Sequence, residues 1–153
     1  SAVAATLAEQ GYRVATWRAS DAAPLAPRLT ATDIVINLLP LTPATRGLLD
    51  ARCFAALPQG ASIINLARGA HVVEADLLHA LDSGHLDRAV LDVFTSEPLP
   101  AEHPFWRHPR ITVLPHVAAL TDERGAAAVV AANLRALAAG EPVAHLVDHK
   151  KGY

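Results

Sequence analysis

Apolar residues in this chain gather into five short runs closed by polar, charged or turn-forming residues, and the stretches between them carry apolar positions at helical spacing. The runs are residues 12–17, 33–39, 62–67, 88–94 and 110–114, and each predicts a strand. Residues 62–67 (SIINLA), bounded by Gly60 and Gly69, suit a parallel strand covered on both faces. Residues 33–39 (DIVINLL) close on Pro40 and the turn-rich Thr42, Pro43 and Thr45. Residues 1–10 place Val3, Ala4, Leu7 and Ala8 on one helical face, with Gly11 as terminator. Residues 47–57 predict one or two short helical turns before Pro58 and Gly60. Residues 74–82 carry Leu77, Leu78 and Leu81 at helical spacing and stop at Gly84. Residues 121–139 predict a long alanine-rich helix with Val129, Val130, Leu134 and Leu137, capped by Thr121 or Asp122 and ended by Gly140. Pro24 and Pro27 mark a loop, and Pro98, Pro100, Pro104 and Pro109 a second irregular connection in which Phe105 and Trp106 are expected to pack into the core.

Strand and helix in alternation predict an α/β domain, a doubly wound, Rossmann-like parallel sheet with helices on both faces. In that class the first strand runs into a glycine-rich turn that holds a pyrophosphate at a helix N-terminus. No such turn occurs in these residues, so the helix at residues 1–10 reads as the one that follows it. The chain is therefore expected to lack the first strand and its glycine-rich loop. The dinucleotide-binding domain so defined spans residues 1–140, and residues 141–153 form an aperiodic C-terminal tail.

Ligands of open α/β sheets bind outside the carboxyl ends of the strands, and three of the runs end on chemically useful residues. Arg68 follows residues 62–67, Glu97 lies just past residues 88–94, and His116 follows residues 110–114 through Pro115. Neighbouring parallel strands would bring the three together as a general acid, its carboxylate partner and an anion holder. A guanidinium offers paired donors that match a carboxylate, so an anionic or carbonyl-bearing ligand is expected at Arg68.

With 52% hydrophobic residues, 153 residues suffice for one domain with a real core. A net charge of −2, a pI near 6.4 and the absence of any Lys/Arg cluster give no electrostatic footprint for nucleic acid or an anionic membrane. No apolar run approaches the roughly 20 residues of a membrane-spanning helix, and a soluble, cytoplasmic protein is expected. The single Cys53 excludes an intrachain disulfide and is expected to be buried as a small hydrophobe. The eight histidines scatter through loops and helices, and no metal site is expected.

The segments NLLPLTPATRGLLD, INLARG, LDVFTSEPLP and LPHVAALT, in this order and spacing, resemble the coenzyme-binding domain of the D-isomer-specific 2-hydroxyacid dehydrogenases. Within that family, NLARG with HVVEADLLHALDSGHL, WRHPR and HVAA are most similar to the glyoxylate/hydroxypyruvate reductase A group. The resemblance implies that Arg68 holds the substrate carboxylate and carbonyl. It implies that Glu97 pairs with His116 and favours its charged form, and that His116 protonates the ketone oxygen during reduction. Asp92 matches the aspartate that reaches the nicotinamide carboxamide; Leu39, Pro40 and Thr45 match the loop beside the adenosine part of the cofactor; Leu66 and Ala67 would contact the cofactor through their backbone. The family's substrate domain has no counterpart in this sequence.

NAD-preferring members place an acidic residue after the strand at residues 12–17, whereas this chain has Trp17, Arg18 and Ser20, which resembles the NADPH arrangement, with NADH also possible. The resemblance thus implies an oxidoreductase that reduces a small 2-oxo acid, works as a homodimer in the full-length protein, and binds neither nucleic acid nor membrane. Two alternatives stay open on sequence. One is a dinucleotide-sensing, non-catalytic binding protein of the corepressor kind found in the same family, and the other is an inactive fragment of the reductase.

Overall fold

The computed structural model describes residues 2–21, 25–119 and 122–147. In chain order the elements are α1 (Ala2–Glu9), α2 (Ala26–Leu29), β1 (Ile34–Asn37), α3 (Ala51–Ala55), β2 (Ala61–Asn65), α4 (Glu74–Asp82), β3 (Leu86–Leu91), β4 (Ile111–Val113) and α5 (Glu123–Ala139), with 3₁₀ turns at Gly69–His71 and Pro104–Trp106. The four strands form one parallel sheet in the order β1-β2-β3-β4. Asn37 pairs with Asn65, Asn65 with Leu91, and Leu91 with Val113, so the carboxyl ends of all four strands are level. Whatever each strand carries just past its end therefore emerges along one edge, which is the property the site depends on.

The core lies where β2 and β3 meet α3 and α4. Ile63, Leu77 and Leu86 are fully buried, with Phe54, Leu81 and Leu91 almost so. Asp50 starts α3 by accepting a hydrogen bond from Cys53 N (2.9 Å), and Asp76 Oδ2 accepts one from Ala51 N (2.9 Å), which fixes α3 against α4. Burial, with the Asp50 charge as a smaller contribution, pushes the Cys53 thiol up to about 11, so this cysteine is an inert packing residue.

Several expectations are corrected. Residues 12–17 form no strand: an apolar run is not enough by itself, and no strand of the four-stranded sheet pairs with them. Pro27 lies in the first turn of α2, where its missing N–H costs no helical bond, rather than in a loop. β3 starts at the buried Leu86 and ends at Leu91, three residues before the expected end; just past it the carboxylate of Asp92 accepts from the chain after β4. Trp106 is 51% exposed and donates from Nε1 to Pro100 O (2.9 Å); Phe105 alone enters the core, tilted against Phe94. One face of β2 (Ala61, Ile63, Asn65) is buried, whereas Ser62 and Ile64 on the other are half-buried, so the two faces are covered unequally. Neither α1 nor α5 contributes a buried residue, and Val129, Val130, Leu134 and Leu137 are exposed. Thr121 lies outside the described residues, and Gly140 ends α5 in the left-handed conformation.

No helix among the described residues is long and apolar enough to cross a membrane, and no group of three His, Cys, Asp or Glu residues among them is placed to hold a metal ion.

Candidate active site

The turn after β2 is built from beneath. Asn65 closes the strand fully buried and bonds its own successors: Oδ1 accepts from Ala67 N (3.2 Å) and Nδ2 donates to Arg68 O (3.0 Å). Arg68 is extended and exposed, with Nη1 donating to Ala67 O (2.6 Å). The next residue is Gly69 because nothing larger fits: a Cβ there would run into the carbonyl of Phe94 and the amide of Thr95. The Arg68 turn thus abuts the loop that carries Glu97, backbone against backbone.

Glu97 is held from two sides. Oε1 accepts from Phe94 N (2.9 Å) and Oε2 from His116 Nδ1 (2.8 Å). The Phe94 N–H is the main reason its carboxyl lies below the usual carboxylate range; desolvation opposes this, and the bond to and charge of His116 and the charge of Arg68 support it. A carboxylate on Nδ1 leaves Nε2 as the ring nitrogen that can pass a proton to a ligand.

His116 occupies the left-handed region at φ 57°, sparsely populated by residues other than glycine. Asp92, 1% exposed, holds the backbone there: its Oδ1 accepts from Val117 N (2.8 Å) and its Oδ2 from Ala118 N (2.9 Å). Two charge-assisted bonds to consecutive amides over-determine the turn, which is how a strained conformation persists.

Arg68, Glu97 and His116 line one cavity of about 460 Å³, with Gly69 and Phe94 in its wall. Arg68 also borders an adjoining cavity of about 700 Å³ walled by Leu38, Leu39, Pro40, Leu41, Leu66 and Ala67. Its wall is mostly apolar, and its volume is that of a small-molecule site. Of the remaining sequence candidates, Thr45 is fully buried and braces the loop, its Oγ1 donating to Pro40 O (2.8 Å) and accepting from Thr42 N (2.8 Å). Asp92 sits behind His116. Trp17, Arg18 and Ser20 line neither cavity; Arg18 is exposed, its N–H donating to Asp21 Oδ2 (3.0 Å). Sequence reasoning missed Arg46, a second guanidinium bordering the smaller cavity. It also missed the buried supports Asn65 and His71, of which an asparagine inside an apolar run was the one visible sign.

Residues 1–118 match the family model described as D-isomer specific 2-hydroxyacid dehydrogenase, NAD binding domain. A glyoxylate/hydroxypyruvate reductase A of Serratia proteamaculans is 55% identical over 125 residues, which cover 82% of this chain and 40% of that protein. The chain thus spans about two fifths of the length of the curated relatives it matches. The crystal structure of an NADPH-dependent glyoxylate/hydroxypyruvate reductase from Sinorhizobium meliloti, in complex with NADP and sulfate, superposes with a TM-score of 0.94 at 41% identity, over 99% of this chain and 53% of that one. A D-isomer specific 2-hydroxyacid dehydrogenase from Xanthobacter autotrophicus Py2, in complex with NADPH and MES, gives 0.81 at 48% identity over 84% and 53%.

Proposed function

The chain belongs to the D-isomer specific 2-hydroxyacid dehydrogenase family, and on that premise we propose that its protein reduces a small 2-oxo acid, glyoxylate or hydroxypyruvate, to the 2-hydroxy acid with NADPH. The observation that carries this reading is His116 Nδ1 on Glu97 Oε2 in a cavity that Arg68 also lines. Arg68 binds the substrate carboxylate through paired N–H donors and orients the ketone beside it. His116 gives its Nε2 proton to the ketone oxygen, and Glu97 stabilises the charged ring before transfer. Asp92 keeps the His116 turn in place. When bound, NADPH supplies the hydride. Leu39, Pro40, Leu66 and Ala67 would form the wall that holds it, with Thr45 bracing their loop and Asp92 the match to the carboxamide partner. Trp17, Arg18 and Ser20 are assigned to the 2′-phosphate, and the NADP and NADPH complexes of the relatives support that choice of cofactor.

Residues 1–140 would be the dinucleotide-binding domain and residues 141–153 a tail. The family resemblance is also what supports a cytoplasmic homodimer, which light scattering on the full-length protein would check. The test of the reaction is steady-state NADPH oxidation by the full-length protein with glyoxylate and with hydroxypyruvate. Turnover with either supports the reading, and NADPH binding without turnover on both contradicts it.

A further inference from the structure

Five polar or charged residues are buried among the described ones: Asn37, Thr45, Asn65, His71 and Asp92. Asp92 serves the His116 turn. The other four form one network beneath the boundary between the two cavities. Asn37 Oδ1 accepts from Leu39 N (3.1 Å), Asn37 Nδ2 donates to Asn65 Oδ1 (2.9 Å), and Asn65 Nδ2 donates to Arg68 O. On the other side the fully buried His71 ring spans the same two segments, with Nδ1 3.1 Å from Arg68 O and Nε2 3.3 Å from Pro40 O. Each oxygen only accepts, so a neutral ring, with a single N–H, donates to one of the two at a time and packs against the other.

We propose that His71 is a positioning residue that couples the Pro40 loop to the Arg68 turn, so that one buried ring sets both the seating of the cofactor and the capture of the substrate carboxylate. This rests on the roles assigned above to Pro40 and Arg68. The ring is not needed to satisfy either carbonyl. Pro40 O already accepts from Thr45 Oγ1, and Arg68 O from Asn65 Nδ2 and from His71's own N–H (3.2 Å). An apolar residue of similar size would therefore leave no orphaned acceptor and would spare the cost of burying a polar ring. What the ring alone provides is one rigid body touching two loops. Its backbone is anchored independently, since His71 O accepts from Leu49 N (2.9 Å), so the side chain can be changed without releasing the turn.

The two arms can be separated. An asparagine amide reaches where Nδ1 sits, and a glutamine amide reaches where Nε2 sits. In the full-length protein, His71→Leu, His71→Asn and His71→Gln would be compared for thermal stability, the Kd of NADPH, and the Kd of oxalate, an unreactive carboxylate probe, on the NADPH complex. The Leu variant is expected to melt near the parent yet bind both ligands several-fold more weakly. The Asn variant is expected to weaken NADPH more than oxalate, and the Gln variant oxalate more than NADPH. Unchanged binding in the Leu variant overturns the proposal. So do equal effects of Asn and Gln on the two ligands, and that contrast decides the matter even if the Leu variant does not fold. A parent protein that binds both ligands but does not turn over defeats the reaction proposed above, while these binding constants still decide the role of His71.

Discussion

Replacing Gly69 by alanine adds one methyl group at the point where the Arg68 turn meets the loop of Glu97. The added Cβ would fall well inside the 3.0 Å that real Cβ atoms essentially never cross, against the Phe94 carbonyl and the Thr95 amide. The opposing atoms are backbone, so no rotamer change relieves the overlap, and one loop must move by at least about 1 Å relative to the other. Overpacking of this kind costs about 1–3 kcal/mol. At roughly 2–4 °C per kcal/mol for a domain of this size, Tm should fall by several degrees. The displacement also separates Arg68 from the Glu97–His116 pair, and a 1 Å misplacement of catalytic groups is worth on the order of 10²-fold in rate. Thermal melts and kcat/KM for the 2-oxo acid on the full-length Gly69→Ala protein would measure both effects. A variant with parental Tm and kcat/KM within about threefold of the parent would refute the claim that this contact sets the geometry of the site.

Asp92→Asn keeps the shape but turns an NH₂ group toward one of the two amides that the carboxylate accepts, so folding stability should drop by about 1–3 kcal/mol and kcat with it, as read by melts and initial rates. Glu97 has a folded pKa below its ordinary value, so its stabilising contribution is present above the unfolded pKa and is lost as pH falls through the lower folded one. The Tm difference between the parent and Glu97→Gln should accordingly not shrink as pH falls to about 4.3, the ordinary glutamate value, and be lost only below it; a difference that vanishes already above that range would contradict the assignment. Arg18→Ala should raise the KM for NADPH several-fold while leaving NADH kinetics nearly unchanged, and equal responses to the two cofactors would remove Arg18 as the phosphate reader.

The strands at residues 33–39, 62–67 and 110–114 and the helix at residues 74–82 could be read from the chain because each is a local pattern closed by its own stop signal, and β1, β2, β4 and α4 lie where those patterns are. The convergence of Arg68, Glu97 and His116 was also readable, since parallel strands with level ends leave their following residues on one edge. Residues 12–17 show the limit: an apolar run is a property of one segment, whereas a strand is a property of two. Trp106 shows another, because an indole among prolines can satisfy its N–H on Pro100 O at the surface as readily as in a core. The supports of the site were the least visible. Asn37, Asn65 and His71 act through partners up to 31 residues away, and no local pattern marks a buried polar side chain as half of such a pair.

On the proposed mechanism His116, held on Nδ1 by Glu97, is the acid of a 2-oxo acid reductase. This role is tested most directly by single-turnover NADPH oxidation in full-length His116→Ala, with the Kd of NADPH measured alongside. The expected rate is lower by about 10²–10⁴-fold, with NADPH affinity near that of the parent. A rate close to the parent's, with NADPH bound as tightly, would contradict it.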